Sequence, residues 1–244
     1  MSSVPELPES VAAVQVALAP SWLGRMLGRV REVFKRNLLP GLVLQGFVLL
    51  VIGGYYLLEP VHAFFMKVAQ VKETWGMVYA GVSTAVFAGL IPFLIQKSRP
   101  KYRHLIPSSH VIFFLVFWFV MGLVFDVLMR TQAWLYGEQG NLRTMLCKTA
   151  TDMLAFTPLI GLPVISVCLL WRQNRFGFGK TWGMVRQKSW WSERFMSMLI
   201  ANWMVWTIAI AAVYSLPLPL QIPVQNLIMC FWCVLLIFLT DQTD

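Results

Sequence analysis

Six stretches of this chain, residues 38–58, 76–96, 111–129, 149–171, 195–216 and 222–240, are each nearly free of charge and about as long as a bilayer is thick. About twenty apolar residues in a row cross the ~30 Å hydrocarbon core as a helix. The runs therefore predict an all-α fold, a polytopic transmembrane helix bundle of about six spans. Composition points the same way, with 58% hydrophobic and only 13% charged residues among 244, whereas soluble domains carry roughly a quarter charged residues.

The charge that remains is mostly basic, 20 Lys and Arg against 11 Asp and Glu, for a net charge of +9. On a soluble protein this would suggest nucleic acid. Here the bases fall between apolar runs, where they meet anionic headgroups, so lipids are the expected partners and nucleic acid is not. An even number of spans puts both termini on one side. That side collects 15 of the 20 bases and the opposite side 5, which by the positive-inside rule places the termini in the cytoplasm or, for a mitochondrial protein, the matrix.

Residues 1–36 divide from the membrane domain, residues 37–244, as a polar tail followed by a basic amphipathic helix. Trp22, Met26, Val30 and Val33 repeat at helical spacing, with Arg25, Arg29, Glu32 and Arg36 on the other face. Such a helix either lies in the interface or extends the first span. Further headgroup contacts are expected from Lys97, Arg99, Lys101 and Arg103 between spans two and three. Arg172 and Arg175 should act likewise in the polar loop 172–194, which Trp171, Trp182, Trp190 and Trp191 flank as interfacial anchors. Residues 61–75, with Lys67, Lys72 and Glu73, read as a connecting segment.

Ionisable groups within or beside spans are costly and mark either internal pairing or a solute path. Asp126 and Arg130 stand four residues apart near the end of span three, and Lys148 and Asp152 four apart at the start of span four. Each acid thus has a base one helical turn away. The four residues form either two neutralised pairs locking the helices or a charged vestibule. Pro158 and Pro163 predict a kink in span four. Asn202 with Trp206, and Gln225 with Asn226, offer hydrogen bonds across helices.

Little in the chain suggests catalysis. Cys230 and Cys233 form a CxxC inside an apolar run with no further ligand nearby, and His62, His104 and His110 make no metal-binding spacing. There is no GxSxG, and GFGK at 177–180 lacks the spacing of a P-loop. No enzyme activity, cofactor or metal is expected.

From Phe125 onward the chain resembles the family of the peroxisomal integral membrane protein and Mpv-seventeen. Lys148, Asp152, Phe156 and Pro158 keep the spacing of one family motif, with Met153 where the family has Gln. Asn202, Trp206, Tyr214, Pro217 and Trp232 follow a second, with Thr207 in place of Pro, and Phe125 to Arg130 are similar to a third. The resemblance spans residues 120–240. The family is described with four spans, which makes residues 38–58 look like an addition, and the Gly-Asp of its first span is missing. It implies an organelle membrane, the mitochondrial inner membrane foremost, with peroxisomal or bacterial membranes as alternatives.

Two functions are expected. One is a structural accessory subunit of a larger membrane assembly, with other membrane-protein subunits as partners. The other is a channel-like pore for small solutes, with Asp126, Arg130, Lys148, Asp152, Pro158, Asn202, Trp206 and Asn226 as structural or pore residues. An inverted-repeat transporter is disfavoured because no residue pattern recurs between the halves.

Overall fold

The computed structural model describes residues 22–103, 107–138 and 140–241. The tail over residues 1–20 and His104 lie outside them, as do the side chains of Arg25 and Arg29. Seven helices account for nearly all of the described chain, which contains no strand. They are α1 (Trp22–Leu57), α2 (Glu59–Ser98), α3 (His110–Tyr136), α4 (Leu142–Gln173), α5 (Phe178–Val185), α6 (Trp190–Tyr214) and α7 (Leu218–Asp241). All except α5 contain a stretch long and apolar enough to cross a membrane.

Three boundaries differ from expectation. The basic amphipathic stretch and the first apolar run belong to one helix, α1, so the division at residue 36 falls inside it; Pro40 lies within this helix. Residues 61–75 are helical and begin α2, which is 40 residues long and interrupted at Gly76 (φ 54°, ψ −126°). Forty residues measure about 60 Å, twice the hydrocarbon thickness, so a break here lets the charged first part depart from the direction of the apolar second part. The polar loop 172–194 is also shorter than expected, because it contains α5 and the first turn of α6.

The two ends of the bundle are tied separately. At one end, the Tyr56 hydroxyl donates to the Ser215 carbonyl (2.9 Å) and the Thr144 hydroxyl to the Tyr136 carbonyl (3.1 Å). This joins the end of α1 to the α6–α7 turn and closes the α3–α4 turn. At the other end, the Arg99 guanidinium lies over the Phe238 ring (3.9 Å) and Phe113, Trp171 and Phe176 pack edge to face.

Helices α2 and α3 approach each other through small residues. A Cβ on Gly122 would collide with the Ala80 carbonyl and Thr84, and one on Gly81 would meet the Phe119 ring at 2.6 Å. Small residues permit such approach where lipid offers no hydrophobic drive for helix association. Amides complete the crossings. Gln45 donates to the Val205 carbonyl (2.7 Å), joining α1 to α6. Asn226 donates to Ser83 (2.9 Å) and accepts from Thr84 (3.0 Å), joining α7 to α2. Meanwhile Leu49, Leu50, Leu57 and Leu159 are largely exposed, an arrangement suited to hydrocarbon rather than water.

Candidate functional site

Helix α4 is where the backbone departs most from regularity. From Asp152 to Gly161 it widens into π-helical turns, with Pro158 inside. In that register a backbone N–H bonds five residues back, and Pro158 has none to give to the Met153 carbonyl. The donor comes from another helix: Trp203 Nε1 of α6 reaches the Met153 carbonyl at 2.7 Å. The same wide turn carries Thr157 over Asp152, and its hydroxyl donates to Oδ1 at 3.1 Å. Tyr214 of α6 donates to Oδ2 at 2.8 Å. The carboxylate of Asp152 is thus buried and held by two neutral hydroxyls.

Beside it lies a cavity of about 310 Å³ between α3, α4, α6 and α7. Asp152, Asn202 and Gln225 supply its polar wall, and Trp118, Trp206 and Trp232 are among its aromatic lining. Gln225 is only 6% exposed and makes no hydrogen bond among the described residues. Asn202 Oδ1 is likewise buried without a partner. Buried amides are normally paired, so this wall presents hydrogen-bonding capacity that the fold itself leaves unused.

The expected partnership of Lys148 with Asp152 does not form. Lys148 is 1% exposed and has no hydrogen bond or ion pair among the described residues. The other expected pair does form, and it has a third member. Asp126 binds Arg130 Nε (2.7 Å) through Oδ2 and Lys72 Nζ (2.7 Å) through Oδ1. Lys72 also donates to the Gly76 carbonyl (3.0 Å) at the α2 break. This triad borders a separate recess of about 300 Å³ that also meets Glu73 and Glu138. The four-residue constellation Asp126, Arg130, Lys148 and Asp152 is therefore not one site.

Of the remaining residues singled out from sequence, Asn202 and Trp206 line the cavity with Asp152, Pro158 sits in its wide turn, and Asn226 serves the α2–α7 crossing. Lys72, Gln225 and Thr157 carry more of the polar architecture than sequence spacing suggested. Phe65, Ala69 and Lys72 are all buried, and their spacing of four and three does place Lys72 on the inward face of a helix.

The proposed headgroup residues have mixed surroundings. Arg36 is exposed and pairs with Glu32 (2.6 Å). Lys97 turns onto the Arg103 carbonyl (3.0 Å), and Lys101 and Arg103 are exposed. Arg172 lies over the Phe114 ring (4.9 Å) with its Nε buried, whereas Arg175 is exposed in a left-handed turn (φ 52°). Among the described residues, no three His, Cys, Asp or Glu side chains gather where they could hold a metal ion, and all four cysteines are unbridged.

The six apolar helices make this an integral multi-pass membrane protein. No protein-family model, curated protein or solved structure matches the chain.

Proposed function

We propose that the bundle provides a binding and passage site for a small polar solute, in a non-enzymatic membrane protein that works as a modest pore. The observation that carries this reading is the convergence of Asp152, Asn202 and Gln225 on one cavity inside the bundle, with the amides unused by the fold. Ionisable side chains in a membrane interior that face a cavity mark solute pathways more often than lipid-facing positions do. The irregular backbone of α4 lines the same cavity, where such backbone is tolerated. The resemblance carried by Lys148, Asp152 and Pro158 supports an organelle membrane, the mitochondrial inner membrane foremost.

The test is solute flux into proteoliposomes, followed by stopped-flow light scattering. Wild-type vesicles should admit small polar solutes faster than protein-free ones, and Asp152→Asn should change the rate or the order of solutes. Flux equal to that of empty vesicles, from protein with intact helical content, would rule the reading out.

An accessory-subunit role is a second reading, favoured by the first part of α2. There Phe64 and Trp75 are exposed beside Lys67 and Glu73, a mixed surface suited to a protein partner. Native electrophoresis in a gentle detergent tests it, since migration as a monomer or small homo-oligomer excludes a large assembly.

A further inference from the structure

We propose that the cavity between α3, α4, α6 and α7 binds a small organic monocation, an ammonium group carried on an apolar body. The inference rests on the solute-site reading above and names the chemical class of its ligand.

The cavity wall sets hydrogen-bond acceptors and aromatic rings among aliphatic side chains such as Leu162 and Ile165. Asp152 accepts one hydrogen bond at each oxygen, from Thr157 and Tyr214, whereas a carboxylate has about four acceptor positions, so two remain. No base forms an ion pair with it among the described residues: Lys72 and Arg130 are committed to Asp126, and Lys148 makes none. Asn202 Oδ1 adds a buried acceptor with no donor among the described residues, and the Gln225 amide borders the same space without a hydrogen bond among the described residues. Trp118, Trp206 and Trp232 also line it, with Phe125 and Phe156, and aromatic rings attract cations through their quadrupole, Trp most strongly.

The complement of a carboxylate, an unpaired carbonyl and indole rings is a cationic N–H donor with an apolar remainder. An anion would meet Asp152 without compensation. A neutral polyol could use the amides but would leave the charge of Asp152 unanswered and gain little from the indoles. At about 310 Å³ the cavity stands at the small end of ligand pockets, with room for an aromatic ring carrying a short arm.

Three probes of nearly equal shape separate these cases: phenethylammonium, 2-phenylethanol and phenylacetate. Binding to the purified protein is read by quenching of tryptophan fluorescence and by the shift in Tm. Phenethylammonium should quench saturably and raise Tm, the alcohol should bind at least tenfold more weakly, and phenylacetate should not bind. Asp152→Asn should cut affinity for the cation at least tenfold and leave the alcohol unchanged. If that variant fails to fold, Trp206→Leu serves, with a larger loss for the cation than for the alcohol.

Equal or tighter binding of the alcohol overturns the inference, as does absence of saturable quenching by phenethylammonium or an unaltered cation affinity in the variants. Flux measurements separate this inference from the reading beneath it. Binding of the amine without its passage leaves the site standing and refutes the pore, whereas passage of a neutral solute sensitive to Asp152→Asn, without amine binding, does the reverse.

Discussion

Replacing Lys72 by Met removes the buried half of an ion pair and tests whether the first part of α2 is held by charge. The two side chains are 5% and 4% exposed, so neither Lys72 nor Asp126 is appreciably solvated when paired. Removing one partner of a fully buried pair costs about 3–5 kcal/mol, because the other charge is left uncompensated. Arg130 stays behind on Asp126 Oδ2 and supplies part of that compensation, but its side chain is 52% exposed and solvent screens it. The lower end of the range, about 3 kcal/mol, is therefore expected for Lys72→Met. The bond to the Gly76 carbonyl is lost in the same step.

Arg130→Met removes the exposed partner and should cost about 1 kcal/mol or less, in the range of surface pairs. The double change Lys72→Met with Asp126→Leu eliminates both buried charges and should recover most of the loss, since apolar replacements of buried pairs are close to neutral. Reversible unfolding in mixed micelles of rising dodecyl sulfate fraction, followed by circular dichroism, gives all three values. A loss below about 1 kcal/mol for Lys72→Met, a loss as large for Arg130→Met, or no recovery in the double variant would refute the argument.

Trp203→Phe should destabilise by about 1 kcal/mol, the worth of one interhelical hydrogen bond; Pro158→Ala should shrink that cost by restoring a backbone N–H for the Met153 carbonyl, and the double-mutant cycle on the same unfolding assay reads the coupling. Gly122→Ala should cost about 1–3 kcal/mol by forcing α2 and α3 apart, whereas Gly53→Ala, with nothing within 4 Å of the added Cβ, should be nearly neutral; a comparison of the two Tm values checks the contrast. Gly76→Ala has open space but a positive φ of 54° with ψ −126°, and the strain of about 1–3 kcal/mol should appear as lower stability with unchanged helical content.

The apolar runs made the spans legible because hydrocarbon demands a long uninterrupted apolar surface, and that demand is local in sequence. The helix joining Trp22 to Leu57 was legible only as one of two options, since an amphipathic pattern serves an interfacial helix and a helical extension equally. Lys72 was hidden by its neighbours. Lys67, Glu73 and Thr74 around it resemble a solvated connector, and only the spacing of Phe65, Ala69 and Lys72 betrays a buried face. The cavity was half legible: Asp152, Asn202 and Trp206 stood out as polar or aromatic residues in apolar runs, but nothing local says that Trp118, from α3, meets them. That meeting depends on how four helices cross.

The two carboxylates near the α3–α4 turn show how identical spacing leads to different chemistry. Asp126 with Arg130 and Lys148 with Asp152 are both four residues apart, yet only the first pair forms. Asp126 lies within a regular α-helix, where side chains four apart share a face. Asp152 begins the π-helical stretch, whose wider turn puts residue 157 over it instead, and its second oxygen is taken by Tyr214 from α6. The result is a division of labour. The charge of Asp126 is answered inside the fold by two bases, which makes it a structural lock. That of Asp152 is met by neutral hydroxyls alone, beside a cavity whose amides are also unanswered, so its remaining capacity faces whatever enters there. Pro158 underlies the difference: without a backbone N–H to close a regular turn, α4 depends on Trp203 for its hydrogen bond, and that bond ties the cavity wall to α6.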